Sequence, residues 1–238
     1  MNELWIQVKN NLSFLLVCIG VAVAISLLAK LAEKYLPATR KVRPAKRLTI
    51  LGVSAAISAV LHMLDFPLPF LIPGFYKMDF SELSVLIAGF YLGPSAAVVT
   101  EALKIFLKLL MKGTSTAFVG DFANFAVGCT FVVPATILYH LHKSKKSAVA
   151  GLAAGTLIMT VFGSAFNALY LIPKFAELFG MPIEAIVGAG NAINSHITGV
   201  SSFVLLAVAP MNLIKGTVVS ILTLLLYKKI ETPLFGKE

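Results

Sequence analysis

Charge is what this 238-residue chain lacks: Asp, Glu, Lys and Arg make up 13% of it, against roughly 25% in soluble domains. With 58% hydrophobic residues and a mean hydropathy of +0.89, that deficit excludes a soluble globular domain and indicates an integral membrane protein. Cysteine is scarce too. Cys18 and Cys129 both fall inside apolar runs, so neither a disulfide framework nor a metal site is implied. There is no GxxxxGK[ST] phosphate loop, so any use of ATP has to come from another chain. No internal repeat or low-complexity segment stands out. Acidic residues are outnumbered 11 to 20 by lysine and arginine, giving a net charge of +9. The basic residues gather at the ends of apolar segments, which is the pattern of membrane topology and not of a nucleic-acid groove.

What is present is a series of apolar runs of membrane-spanning character. A span needs about 20 apolar residues. The candidates are residues 12–29, 48–64, 83–92, 94–110, 122–139, 148–172 and 211–227. The first has a signal-peptide reading, with Lys9 ahead of it and a weak Ala22-Val-Ala24 cleavage pattern. Its length and the basic block after it favour a retained helix. The run 83–92 is short, and Gly93-Pro94 turns it directly into the next helix as a hairpin. Residues 183–209 are ambiguous, because Gly188, Gly190, Asn191, Asn194, Ser195, His196 and Gly199 suit lipid poorly.

Charge bias resolves that ambiguity. Three basic clusters, Arg40 to Arg47, Lys143 to Lys146 and Lys228-Lys229, are all cytoplasmic only if an even number of spans separates each pair. Residues 183–209 are therefore expected as an outer-surface or re-entrant segment. The expectation is an all-α membrane protein: a six-helix core in residues 46–238, preceded in residues 1–45 by an additional helix and a basic linker that contacts lipid headgroups. Met1 is then outside.

With this topology the polar residues gather at one end. Residues 112–124, KGTSTAFVGDFAN, interrupt an apolar chain with Gly113 and Gly120, the hydroxyls of Thr114, Ser115 and Thr116, and then Asp121 and Asn124 at helical spacing. Glycine lets backbone approach a ligand, and the side chains supply donors and acceptors. Polar groups beside hydrocarbon are costly and read first as a site; the plainer reading is a solvated loop with Asp121 capping the next helix. Asn167 lies near the outer end of its helix. Asn212 and Lys215, three apart, share a face at the outer start of the last one. Snorkelling would explain a lysine but not short asparagines, so the set is expected to line a cavity beneath the loop 65–80.

Glu101, Lys104 and Lys108 share one face and are expected to form an internal ion-pair ladder, with Lys108 reaching the interface. The pairs Gly151/Gly155 and Ala55/Ala59 permit close helix contact. Catalysis finds no support: His140 and His142 do not share a helical face, and His62 and His196 have no carboxylate at motif spacing.

The segments FPLPFLIPGFYKMDFSEL, AGFYLGP, KGTSTAFVGDFANFAVG, FNALYLIP and MNLIKG, in that order, resemble the riboflavin-specific substrate-binding subunit, the S component, of energy-coupling factor (ECF) transporters. The resemblance implies a bacterial multi-pass protein that is not an enzyme and carries no cofactor. It captures riboflavin, or FMN, from outside and topples in the membrane with a transmembrane coupling subunit and two cytoplasmic ATPases. It implies ligand contacts by Asn167, Asn212 and Lys215, a binding loop with Gly113, Thr114 and Thr116, and a lid bearing Phe66, Phe70 and Tyr76. Asp121 and Asn124 fit the ribityl hydroxyls, and Ala55 and Ala59 match the small residues that face the coupling subunit. Met211-Asn212 stands where the family pattern has Phe-Asn. Two other classes compete: an ion-coupled secondary transporter working through Glu101 and the lysines, and an assembly or regulatory subunit that binds no vitamin.

Overall fold

A computed structural model describes residues 12–37 and 42–235. The expectations for Met1, Lys9 and the middle of the basic linker lie outside these residues. Helix α1 spans Leu12–Tyr35 and α2 spans Pro44–Met63, with Pro44 at the first turn, where its missing N–H costs nothing. A two-stranded antiparallel ribbon follows: β1 (Phe66–Pro67) pairs with β2 (Lys77–Met78), Phe66 opposite Met78. Helices α3 (Glu82–Leu92) and α4 (Pro94–Lys112) form the expected hairpin. Gly93 between them has φ +113°, a conformation that only glycine adopts cheaply.

Helix α5 (Val119–His142) leads through left-handed Lys143 and a reciprocal Ser144–Ser147 capping box into α6 (Lys145–Phe166). A π turn at Asn167–Leu171 carries α6 on into α7 (Ile172–Phe179). After the short α8 (Ile183–Asn191), α9 (Val200–Phe203) continues through a second π turn, Val204–Val208, into α10 (Ala209–Phe235).

Among the described residues, five helical stretches are long and apolar enough to cross a membrane: 16–35, 44–63, 119–142, 145–179 and 200–227. The protein is thus a multi-pass helical membrane protein. α4 has 19 residues but carries Glu101, Lys104, Lys108 and Lys112, and α3 has only 11. Short as it is, α3 is the centre of the bundle. α2, α4, α5 and α10 all pack on it, and every residue from Ser84 to Leu92 is buried.

Two expectations need correction. Residues 183–209 are not one surface segment: the last helix begins at Val200, so only 183–199 lie apart, and the chain still crosses once there. Nor do Glu101, Lys104 and Lys108 form one ladder, because Lys108 turns away to Asp121.

Close approach of α5 and α6 rests on missing side chains. A Cβ at Gly155 would strike the Phe131 carbonyl, and one at Gly151 would lie 2.5 Å from that of Ala135. α1 leans on α4 and α5, burying Ala29, and its Glu33 accepts a hydrogen bond from the Ser95 N–H at 2.9 Å. A separate apolar cluster joins Ile72 of the 64–81 loop to Ile172, Ile186, Ile197 and Phe203, fixing that loop over one end of the bundle. The basic residues Arg43, Lys46, Lys143, Lys145, Lys146 and Lys229 sit at the opposite end.

Candidate functional site

At the end beneath that loop lies a cavity of about 420 Å³, within the range of small-molecule sites. Of the residues singled out in the sequence, Tyr76, Gly113, Thr114, Thr116, Asp121, Asn124, Asn167, Asn212 and Lys215 line it. Phe66 and Phe70 do not. Phe66 packs on Phe80 with ring centroids 5.4 Å apart, and Phe70 is 75% exposed. Phe75 and Phe175 supply aromatic lining instead.

One wall is the turn between α4 and α5. Gly113, Ala117 and Phe118 all have positive φ, so the chain coils tightly. Thr114 Oγ1 donates to Asp121 Oδ2 at 2.7 Å and accepts from the Phe118 N–H at 2.9 Å. Thr116 Oγ1 accepts from the Gly120 N–H. Lys108 Nζ reaches Asp121 Oδ1 at 2.5 Å and the Gly113 carbonyl at 2.9 Å. Asp121 therefore anchors the turn instead of capping α5, whose N-cap, Phe118, has no side-chain cap bond. Asn124 Oδ1, one turn on, is buried with no hydrogen-bond partner among the described residues.

The lid crosses to the second wall. The Tyr76 hydroxyl donates to Asn167 Oδ1 at 2.7 Å, and burial pushes that phenol's pKa well above its usual range. Asn167 Nδ2 in turn donates to the Gly163 carbonyl at 2.7 Å. Asn167 opens the π turn; such widened turns recur at functional sites. Gly163 also makes room for Asn212, since a Cβ there would lie 2.8 Å from Asn212 Nδ2.

The floor is a buried ionic cluster. Lys215 Nζ lies 2.9 Å from Glu82 Oε1 and 3.2 Å from Asp79 Oδ2. Lys104, wholly buried, donates to Glu101 Oε1 at 2.6 Å and Ser81 Oγ at 3.0 Å, with Glu82 Oε1 at 3.5 Å. His62 Nδ1 is 3.2 Å from Asp79 Oδ2, and Ser81 donates to Asp79 Oδ1 through both its N–H, at 2.8 Å, and its hydroxyl. Burial alone would raise the Asp79 pKa. Lys215 and His62 outweigh it and hold the carboxyl well below the usual range. Buried charges persist only when paired in this way.

The sequence alone singled out neither Asp79 nor Glu82, and it left His62 without the carboxylate partner that Asp79 supplies. A lysine within an apolar helix requires a counter-charge, and the DFSEL run held two unassigned carboxylates. Among the described residues no cluster of His, Cys, Asp and Glu is arranged to hold a metal.

Ala55 and Ala59 are each only 1% exposed, on the face of α2 that packs against α3 and α4. They are not available to a partner. The exposed face of that helix carries Gly52, Val53, Ala56, Ile57 and Val60.

The model of the family described as "ECF transporter, substrate-specific component" matches residues 46–227. The chain belongs to this family. The S component is therefore a membrane protein whose relatives are transport subunits. The riboflavin transporter RibU of Staphylococcus aureus (strain TCH60) is 35% identical over 185 residues, covering 78% of this chain and 90% of that one. The riboflavin transporter FmnP of Bacillus subtilis (strain 168) is 29% identical over 187 residues, covering 78% and 92%. Among solved structures, one described as "Structure and mechanism of the S component of a bacterial ECF transporter" superimposes with a TM-score of 0.62 at 34% identity, covering 79% of this S component and 96% of that chain.

Proposed function

We propose that this S component binds riboflavin from outside the cell and delivers it inward with a transmembrane coupling subunit and two cytoplasmic ATPases. One observation carries the reading. Two helices, one bearing Asn167 and the other both Asn212 and Lys215, bring these side chains into one cavity of about 420 Å³ with the turn at 113–116. Isoalloxazine is a flat ring with carbonyls and an N–H on one edge and a dimethylbenzene at the other. Amides and an ammonium suit the polar edge, Phe75, Tyr76 and Phe175 cover the ring, and the hydroxyl-rich turn suits the ribityl chain. The basic ends of the helices belong in the cytoplasm by the positive-inside rule, which turns the cavity outward.

FMN is the second candidate ligand, favoured by Lys77 and Lys112 at the cavity mouth, each about half exposed (side chains 45% and 48%). The coupling subunit docks on the exposed face of α2. Gly52 and Ala56 lie one turn apart there, with nothing within 4 Å of a Cβ placed on Gly52. Residues 1–45 form an appended unit and 46–238 the binding domain.

Purification is the test. A protein that releases riboflavin on denaturation, and takes it up only with the ATPases present, supports the reading. A protein with no bound flavin and no affinity for added riboflavin contradicts it. Uptake that persists without the ATPases would favour an ion-coupled carrier instead.

A further inference from the structure

Resting on the riboflavin reading, we propose that Glu82 accepts the imide N–H of the ring, so that the cavity selects flavins protonated at N3. The pyrimidine edge of isoalloxazine presents carbonyl, N–H and carbonyl in a row. A matching floor needs an acceptor flanked by donors. Lys215 donates only. The Asn212 amide nitrogen faces Gly163, and each end of the Asn167 amide already has one partner, Tyr76 at the oxygen and the Gly163 carbonyl at the nitrogen, so neither amide is a free acceptor of the kind a buried carboxylate oxygen offers.

Glu82 meets the requirement for the acceptor. It lines the cavity, is 1% exposed, and its Oε1 is held by Lys215 at 2.9 Å. Its Oε2 has no hydrogen-bond partner among the described residues. A buried carboxylate oxygen without a donor is costly, and a ligand N–H would remove that cost through a charge-assisted bond. Other unpartnered acceptors fit less well. Glu101 Oε2 belongs to a residue that does not line the cavity, and Asn124 lies beside the hydroxyl-rich turn. Gly128 completes the geometry. It lines the cavity, and a Cβ there would overlap the Glu101 carboxylate and lie 3.5 Å from Glu82 Oε1, so its bare Cα keeps the floor open at the carboxylates.

The test compares riboflavin with N3-methylriboflavin by calorimetric titration of the ligand-stripped protein in detergent. Methylation removes the donor, and the parent should bind the methyl analogue more weakly by on the order of ten- to a hundredfold. Glu82→Asp keeps the charge but withdraws the carboxylate. It should weaken riboflavin binding and shrink that discrimination to a few fold. A role confined to folding would leave the ratio unchanged. Equal binding of the two flavins by the parent, or an undiminished ratio in a folded Glu82→Asp variant, would overturn the proposal; the parent comparison alone decides if the variant does not fold. Failure of the parent to bind riboflavin at all would instead overturn the reading on which this one rests.

Discussion

The turn and the floor of the cavity are built on opposite plans. The turn between α4 and α5 closes on itself: the bonds of Lys108, Thr114, Thr116 and Asp121 link residues no more than 13 apart. The floor does the reverse, tying Lys215 to Asp79 and Glu82 across 136 and 133 residues. The turn is therefore complete whenever its own segment is formed. The floor exists only when α3, α4 and α10 have assembled, so damage to it should reach both stability and binding, whereas damage to the turn should stay local.

The largest effect that sharpens this contrast is expected from Lys104→Ala. It leaves Glu101 without its lysine and Glu82 with one fewer, at a cost of about 3–5 kcal/mol for breaking a buried pair. Thermal unfolding in detergent measures it, and an unchanged melting temperature would show that the floor is not an energetic unit. Gly163→Ala comes next. Its Cβ would lie 2.8 Å from Asn212 Nδ2, and overpacking of this kind costs about 1–3 kcal/mol. Riboflavin binding should weaken by about tenfold through displacement of Asn212, readable by titration. On the other wall, Thr114→Val removes the bond to Asp121 and the acceptor for the Phe118 amide. Each such bond is worth about 1 kcal/mol net. The loss falls on the ordering of the turn and not on a group that meets the ring's polar edge, so affinity should fall by several fold and the melting temperature by less than in Lys104→Ala. A loss larger than that of Gly163→Ala would invert the comparison. Smallest of all should be deletion of residues 1–40. α1 supplies no cavity residue, so affinity should stay within a few fold.

The same contrast explains what the sequence made legible. The turn stood out because Gly113, Thr114, Thr116, Asp121 and Asn124 form one polar run in an apolar chain. Asn167, Asn212 and Lys215 stood out because amides and a lysine are out of place in membrane helices. Their partners did not stand out. Asp79 and Glu82 precede an apolar run and read as ordinary first-turn acids, and nothing local announces a bond to a lysine more than 130 residues on. Ala55/Ala59 and Gly52/Ala56 are two small-residue stripes on one helix. Periodicity gives the spacing of each, but only the packing of α3 and α4 decides which faces inward. The start of the last helix was obscured in a similar way. The polar residues 188–199 hid the fact that Val200 to Ala209 continue into α10, with the π turn at Val204–Val208 absorbing the irregularity.

The account stands most directly on the claim that Asn212 and Lys215 of α10 hold the polar edge of the ring. Titration of riboflavin into ligand-stripped Asn212→Ala and Lys215→Ala, beside the parent, measures it. Leaving a buried group of the ring unpaired costs about 1–3 kcal/mol, so each variant should bind roughly five- to a hundredfold more weakly while remaining folded. Folded variants that bind riboflavin as tightly as the parent would place the ring elsewhere and contradict the account.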